Sequence, residues 1–339
     1  MRSVITSTLA LCLSLFSSFV AAQAGSSPPV YFDTQGTHFY FGTTGQDEAE
    51  PESTQGQGLA PVYPAGVLQL PSSARYLLWA ELEAGRLSVL ENLGSQGLVL
   101  RKRIPISIGK EGMGKEVEGD RKTPLGVYRI TSFLEDATLD DFYGLGAYPI
   151  DYPNVRDRLA GRTGYGIWLH GLPKSVTQRP LYDSDGCVVV DNDSLQELAL
   201  EVEPGKTHLV ISRRQINWLT QDQQEERRQG LQDALQGWRT AWQSRNNDAY
   251  LAFYSEDFSD LSRDKRGWSA YKRQVNDAKR YIDVDMQDIS MLTTPDALDV
   301  VTVRFYQHYS SSNYQWQGWK EQLWRQEANG WKILYEGDG

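Results

Sequence analysis

A thiol and an imidazole lie close together in one stretch of this sequence, GYGIWLHGLPKSVTQRPLYDSDGCVVVDND at residues 164–193. A thiol is a weak nucleophile at its ordinary pKa of about 8.5, and a neighbouring imidazole can hold it as the thiolate. Because His170 ends an apolar, strand-like run, the polar loop after it can return Cys187 to its side. Gly186 lets the backbone approach a substrate closely, and the N–H groups around Gly186 and Cys187 can bind an oxyanion. The stretch therefore indicates nucleophilic catalysis by Cys187 with His170 as its base.

Each of these two side chains also has a purely structural interpretation. A cysteine before Val-Val-Val is often a small buried apolar residue, and a histidine after Trp-Leu can be a hydrogen-bonded core residue. If Cys12 is lost with an N-terminal signal, Cys187 remains as a lone thiol, which pairs between molecules, lies inert or reacts. One thiol and scattered histidines form no ligand cluster, so we expect no metal and no cofactor; the histidines are His38, His170, His208 and His308.

The elements that must position this pair belong to a β-rich segment. Residues 75–213 contain many short apolar runs separated by Gly-rich turns, which is typical of a mostly-β domain. Residues 213–230 are polar and predict a helical connecting segment. Residues 225–339 predict an α+β domain, because helical spacing comes first and four strand-like runs follow; the helical positions are Leu231, Leu235, Trp238 and Trp242. Residues 25–74 are rich in Gly, Ser, Pro and Gln and predict a flexible linker. The length of 339 residues suggests two domains, and we expect the first to fold without the second if the two are independent units.

Residues 1–24 have the pattern of a secretory signal peptide. Arg2 supplies the positive charge, Val4 to Val20 is an apolar and hydroxyl-rich run, and the small residues around Ala22 offer a cleavage site. An uncleaved membrane anchor is the alternative. No later stretch approaches the ~18 consecutive apolar residues of a spanning helix, so we expect no stable membrane span. The formal net charge of −10 argues against nucleic acid as a partner.

Two motifs resemble the YkuD-type L,D-transpeptidase family. His170-Gly171, a polar loop and then Ser184-Asp185-Gly186-Cys187 are similar to the family's His-Gly followed by Ser/Thr-x-Gly-Cys. Upstream, GDRKTPLG at residues 119–126 resembles the family's Gly-x-x-x-Thr-Pro-x-Gly turn and strand. The resemblance covers about residues 75–213 and implies a β-rich catalytic domain.

The resemblance also implies a role for each motif residue. Cys187 corresponds to the nucleophile and His170 to the base, and the Gly171 carbonyl corresponds to the group that orients the base. Ser184 is expected to hold the loop by a local hydrogen bond, and Asp185 to orient a cationic group of the substrate. The implied substrate is the peptidoglycan stem peptide in the periplasm: the thiolate attacks the carbonyl at the L-centre of diaminopimelate and expels the terminal D-alanine.

The sequence departs from the family pattern at one position of the cysteine motif, and it continues into a second domain after the catalytic one. Transpeptidases of this family usually carry Arg two residues after the Cys, where this chain has Val189. Residues 225–339 resemble cone-shaped, nuclear-transport-factor-like (SnoaL-like) domains. This combination is similar to the cell-shape L,D-carboxypeptidases, which trim tetrapeptide stems to tripeptides. A homodimer formed through the C-terminal domain remains an open alternative.

Three functions remain open from the sequence. Water resolving the acyl-enzyme gives an L,D-carboxypeptidase, whereas an amine gives an L,D-transpeptidase that forms diaminopimelate cross-links or attaches or releases wall proteins. The third alternative is a non-catalytic peptidoglycan-binding module in which Cys187 is only structural.

Overall fold

The computed structural model describes residues 61–339. The predicted signal peptide at residues 1–24 and most of the predicted linker, residues 25–60, lie outside the described residues, as do Cys12 and His38.

The first part of the described chain is rich in short strands. Its elements are β1 (Val62–Pro64), β2 (Val67–Gln69), β3 (Tyr76–Glu81), β4 (Arg86–Asn92), β5 (Leu98–Pro105), β6 (Ile108–Gly109), β7 (Gly126–Arg129), β8 (Leu134–Glu135), β9 (Gly146–Pro149), α1 (Val155–Leu159), β10 (Trp168–Gly171), β11 (Tyr182–Ser184), β12 (Val188–Val190), α2 (Asn192–Leu198), β13 (His208–Ser212) and β14 (Trp218–Thr220). This part confirms the predicted mostly-β domain.

Two main sheets enclose the core of this first domain. One has the order β5-β4-β3-β13-β7, and the other has the order β12-β10-β9-β8. Their apolar faces pack together through fully buried side chains such as Leu78, Val89, Leu169 and Leu209. Gly85 takes a φ of 62° in the turn between β3 and β4, a conformation that glycine adopts without strain.

The second part forms the predicted α+β domain. Its elements are α3 (Gln221–Gln243), α4 (Asn247–Leu251), α5 (Lys265–Asp277), β15 (Ile282–Leu292), β16 (Val300–Ser311), β17 (Tyr314–Glu327) and β18 (Gly330–Asp338). The helices come first and the four antiparallel strands follow, as the sequence predicted. Trp238, Trp242, Tyr250 and Phe305 pack in one aromatic core between helices and sheet. None of the helices within residues 61–339 has both the length and the apolar character needed to cross a bilayer.

Strands β1 and β2 correct the prediction of a flexible linker over residues 25–74. β1 pairs with β14, which lies in the predicted helical connecting segment 213–230. β2 pairs with β15 and completes the second domain's sheet, whose order is β18-β17-β16-β15-β2. These strands have only three residues each, VYP and VLQ, so their structure comes from the partners they meet and not from local propensity.

The two domains share one apolar cluster, which contradicts the expectation of independent units. Val67 of β2 and Leu292 of β15 pack in the same cluster as Leu77 and Trp79 of β3. Gly66 sits at this junction, and its carbonyl accepts a hydrogen bond of 2.8 Å from the Thr293 N–H. A Cβ at Gly66 would overlap the Thr293 carbonyl and lie 2.7 Å from Cη2 of Trp79.

We expect Gly66→Ala to destabilise the whole protein by about 1–3 kcal/mol, because the added methyl group has no room between the two domains. Thermal unfolding followed by circular dichroism and calorimetry would measure it, with both domains melting together at a lower temperature. Gly230→Ala is the matched control: its new Cβ would lie 3.4 Å from Trp331, an ordinary contact, and alanine favours helix α3. Two separate transitions, of which only one shifts, would contradict the shared core.

Candidate active site

Parallel pairing of β10 with β12 places the segment of the predicted nucleophile alongside the strand that carries the predicted base. Leu169 lies opposite Val188 and His170 opposite Val189, and Cys187 directly precedes β12. The Trp168 N–H donates a hydrogen bond of 3.4 Å to Cys187 Sγ, and the thiol lies 3.5 Å from the Gly166 carbonyl. The loop after His170 therefore returns Cys187 to the start of β10, beside Trp168.

The turn before Cys187 is held by Ser184. Its buried hydroxyl donates to the Cys187 carbonyl at 2.7 Å and accepts the Gly186 N–H at 3.1 Å. This is the local hydrogen bonding that was expected of Ser184. It also corrects the expectation for Gly186, because an N–H already bound to Ser184 is not free for an oxyanion.

Glycine is required at position 186 for two reasons. Its φ is 126°, and a Cβ there would lie 2.8 Å from the Lys122 carbonyl and 3.1 Å from Ile167 Cδ1. Lys122 belongs to the upstream motif at residues 119–126, so the two sequence motifs pack directly against each other. The upstream motif is fixed in turn by the Thr123 hydroxyl, which accepts the Gly109 N–H at 2.9 Å.

His170 has the geometry of a neutral base. It is fully buried, and its Nδ1–H donates to the Gly171 carbonyl at 2.7 Å, which is the orienting contact that the family resemblance implied. Because a carbonyl only accepts, Nδ1 carries the proton and Nε2 keeps its lone pair. Nε2 is buried and has no hydrogen-bond partner among the described residues. Burial lowers the pKa of His170 to about 4, assisted by Arg179 and opposed by the Gly171 hydrogen bond.

The thiol is neutral in this resting geometry. Burial raises the pKa of Cys187 to about 11, although the Trp168 N–H works in the opposite direction. With the pKa of His170 near 4, neither group is charged at neutral pH. The sequence-based expectation of a thiolate held by imidazole therefore differs from the structure, because desolvation disfavours both ions. The thiol contacts the Trp168 N–H and the Gly166 carbonyl, and no hydrogen bond joins Sγ to His170 Nε2 in this geometry.

Asp185 lies at the surface beside the nucleophile. Its carboxylate pairs with Lys110 Nζ at 3.4 Å, and both side chains are largely exposed. The role expected for Asp185, orientation of a cationic group of the substrate, stays a prediction. In that role the substrate's cationic group replaces Lys110 as the partner of the carboxylate.

An aromatic roof, formed by Phe142 and Tyr143, covers the base and was not predicted. The Tyr143 ring lies 5.1 Å from the His170 ring and 4.7 Å from the Trp168 ring, and Phe142 lies 5.9 Å from His170. Burial raises the pKa of Tyr143, and the nearby Cys187 adds to this effect. The only signal in the sequence was an aromatic pair in an otherwise acidic loop.

Asn192 ties this roof to the strand that carries His170. Its Oδ1 accepts the Leu145 N–H at 3.0 Å, and its Nδ2 donates to the Leu172 carbonyl at 2.9 Å. Asn192 belongs to α2, directly after β12, so one amide side chain links three segments around the site. No motif or periodicity in the sequence indicated this role.

Comparisons with known proteins agree with this architecture. The family described as the L,D-transpeptidase catalytic domain (YkuD) matches residues 75–211, and the family described as the Cds6 C-terminal NTF2-like domain matches residues 230–337. The solved structure of Bdellovibrio bacteriovorus Bd1075 is 30% identical, with a TM-score of 0.69 over 82% of this chain and 98% of that chain. The helical cell shape determining protein Pgp2 from Campylobacter jejuni is 25% identical, with a TM-score of 0.66 over 77% of this chain and 91% of that chain. The comparison with curated proteins gave no match.

We expect iodoacetamide to alkylate Cys187 slowly at pH 7 and increasingly faster up to about pH 11, because the raised thiol pKa leaves little thiolate at neutral pH. The rate should show no step near pH 6.5, since the imidazole is already neutral above about pH 4. Mass spectrometry of the labelled peptide would measure the rate, with Cys187→Ser as the blank. A fast, pH-independent reaction between pH 5 and 8 would instead indicate a preformed ion pair.

We expect Ser184→Ala to cost about 1–3 kcal/mol of stability, because it leaves the Gly186 N–H without its acceptor and removes the bond to the Cys187 carbonyl. Ser184→Thr keeps the hydroxyl and should retain most of the stability. Thermal unfolding of both variants makes the comparison. Equal losses in the two variants would mean that packing, and not the hydroxyl, holds the turn.

Proposed function

The chain belongs to the family in which a YkuD L,D-transpeptidase catalytic domain is joined to a C-terminal NTF2-like domain, and from this premise we propose that it is an L,D-carboxypeptidase. The substrate is the tetrapeptide stem of peptidoglycan, and the products are the tripeptide stem and D-alanine. The reaction takes place in the periplasm after export by the signal at residues 1–24.

One observation carries the catalytic part of this proposal. His170 Nε2 is buried, has its lone pair free and has no partner among residues 61–339, while Nδ1 is fixed on Gly171. A base with one nitrogen fixed and the other free, on the strand that pairs with the segment after the thiol, supports nucleophilic catalysis.

The steps follow from this geometry. Nε2 takes the proton of Cys187 as Sγ attacks the carbonyl at the L-centre of diaminopimelate, and the oxyanion forms beside the Cys187 amide. The tetrahedral intermediate collapses, the C–N bond breaks, and Nε2–H protonates the departing D-alanine amine. Water then attacks the thioester, Nε2 takes a proton from that water, and Sγ leaves with the proton as the tripeptide carboxylate is released.

Two features favour water over an amine as the second nucleophile. Val189, where transpeptidases of this family usually carry Arg, is buried and lies level with His170 across the β10–β12 pair. No guanidinium at that position can therefore hold an incoming stem. Phe142 and Tyr143 also cover the base, which leaves less room for a second peptide than for water. The similarity to a protein named for determining helical cell shape supports a role in wall editing.

We expect purified tetrapeptide muropeptides to lose one D-alanine, read by mass spectrometry. Cys187→Ala should abolish the product because the covalent step disappears, and His170→Ala should lower kcat about 10²–10⁴-fold because proton transfer is lost. Lys206→Gln, which removes an exposed charge paired with Glu203, is the control and should retain the activity of the unmodified protein.

Other products would favour the alternatives. Dimers linked through two diaminopimelate residues would identify a transpeptidase. Binding to sacculi without any product, equally in Cys187→Ala, would identify a non-catalytic module.

A further inference from the structure

Two cationic side chains, Arg179 and Lys115, act electrostatically on the Cys187 thiol, and they differ in their hydrogen bonding. Burial raises the pKa of Cys187 most strongly, while Arg179 and Lys115 lower it. Lys115 Nζ donates to Asp120 Oδ1 at 2.7 Å and to the Val117 carbonyl at 3.1 Å, so its charge is used within its own turn. Arg179 uses Nε for a 2.7 Å bond to Asp183 Oδ2, but its Nη1 is buried without an acceptor among the described residues.

An unsatisfied donor of this kind has a cost. A buried N–H without a partner has lost its hydrogen bonds to water without replacement, and this loss is larger when the group is charged. Only 10% of the Arg179 side chain is exposed, so solvent does not compensate for the missing acceptor. Such a group in a native protein requires an explanation, and beside a catalytic pair a role in the reaction is one.

The surroundings of Arg179 hold it beside the catalytic pair. Its guanidinium carbon lies 5.4 Å from the centre of the Phe142 ring, and that ring lies 5.9 Å from the His170 ring. Asp183 belongs to β11, which leads directly into Ser184 and the nucleophile. Because Asp183 takes the Nε edge, Nη1 at the opposite end of the planar guanidinium points away from that carboxylate.

We propose that Arg179 binds a carboxylate of the diaminopimelate–D-alanine unit of the stem peptide, through the guanidinium edge that Asp183 leaves free. The proposal rests on the function proposed above and adds the group that recognises the substrate's negative charge.

The same charge bears on the base. Arg179 contributes to the low pKa of His170, second to burial. A bound carboxylate compensates the guanidinium, removes part of this effect and makes Nε2 a stronger base once substrate is present. Substrate binding and base strength are thereby linked through one side chain.

Two stem carboxylates fit this chemistry: that of the terminal D-alanine and that at the D-centre of diaminopimelate. Three synthetic tetrapeptides separate them, namely the free acid, the D-alaninamide, and the form with diaminopimelate amidated at its D-centre. Each is tested with the unmodified full-length protein, Arg179→Gln and Arg179→Lys, and Lys206→Gln serves as the remote control.

Arg179→Gln should lower kcat/KM on the free acid about 10–100-fold, chiefly through KM, because one charged hydrogen-bonded contact is lost. Arg179→Lys should recover part of the loss. One of the two amides should be an equally poor substrate for the unmodified protein, and on that amide Arg179→Gln should cause no further loss. That amide identifies the carboxylate bound.

Equal losses in Arg179→Gln on all three peptides, or no loss on any of them, would overturn the proposal, since a structural role does not depend on the substrate's charge. Failure of the proposed function is separated by a binding arm. Calorimetric titration of the three peptides into Cys187→Ala measures recognition without turnover. Adding Arg179→Gln to this variant should weaken Kd for the same peptides on which it lowers kcat/KM. If the unmodified protein releases no D-alanine but this pattern holds, only the proposed reaction is wrong.

Discussion

The parallel pairing of β10 with β12 is the constraint on which the site depends. Val188 and Val190 are buried in the same core as Leu169, so apolar packing sets the register of the two strands. A slip of one residue would turn every side chain of β12 to the opposite face. The thiol would then leave the start of β10, where Trp168 donates to it. The chemistry is therefore fixed by hydrophobic contacts of residues that take no part in it.

Burial has two opposite consequences for the catalytic pair. It stabilises the neutral imidazole, which needs its lone pair, and it also stabilises the neutral thiol, which must lose its proton. Neither side chain is therefore charged before the reaction, and the thiolate forms only when a base accepts the proton of Cys187. The same low-polarity surroundings strengthen any interaction of the neighbouring guanidinium with an anion.

The sequence allowed the motif residues to be predicted because each has a role that few residue types can fill. Gly186 needs a positive φ and lacks room for a Cβ, and the Ser184 hydroxyl bridges its own turn. Phe142, Arg179 and Asn192 could not be predicted, since they reach the site from irregular loops or a helix start, where no periodicity marks a direction. Helix α5 was missed because its face is largely polar, and β1 and β2 because their order comes from distant partners.

The pairing of β2 with β15 has a consequence for how the protein reaches this structure. Gln69 of β2 donates to the Ile289 carbonyl of β15 across a separation of 220 residues. Strand β2 is synthesised early but can pair only after β15 has been synthesised, and contacts between residues so distant in the chain form slowly. Until then the edge of the second sheet is open and prone to pair with other chains. A chain interrupted anywhere between these two strands lacks β15, so β2 has no partner strand and the second sheet does not form.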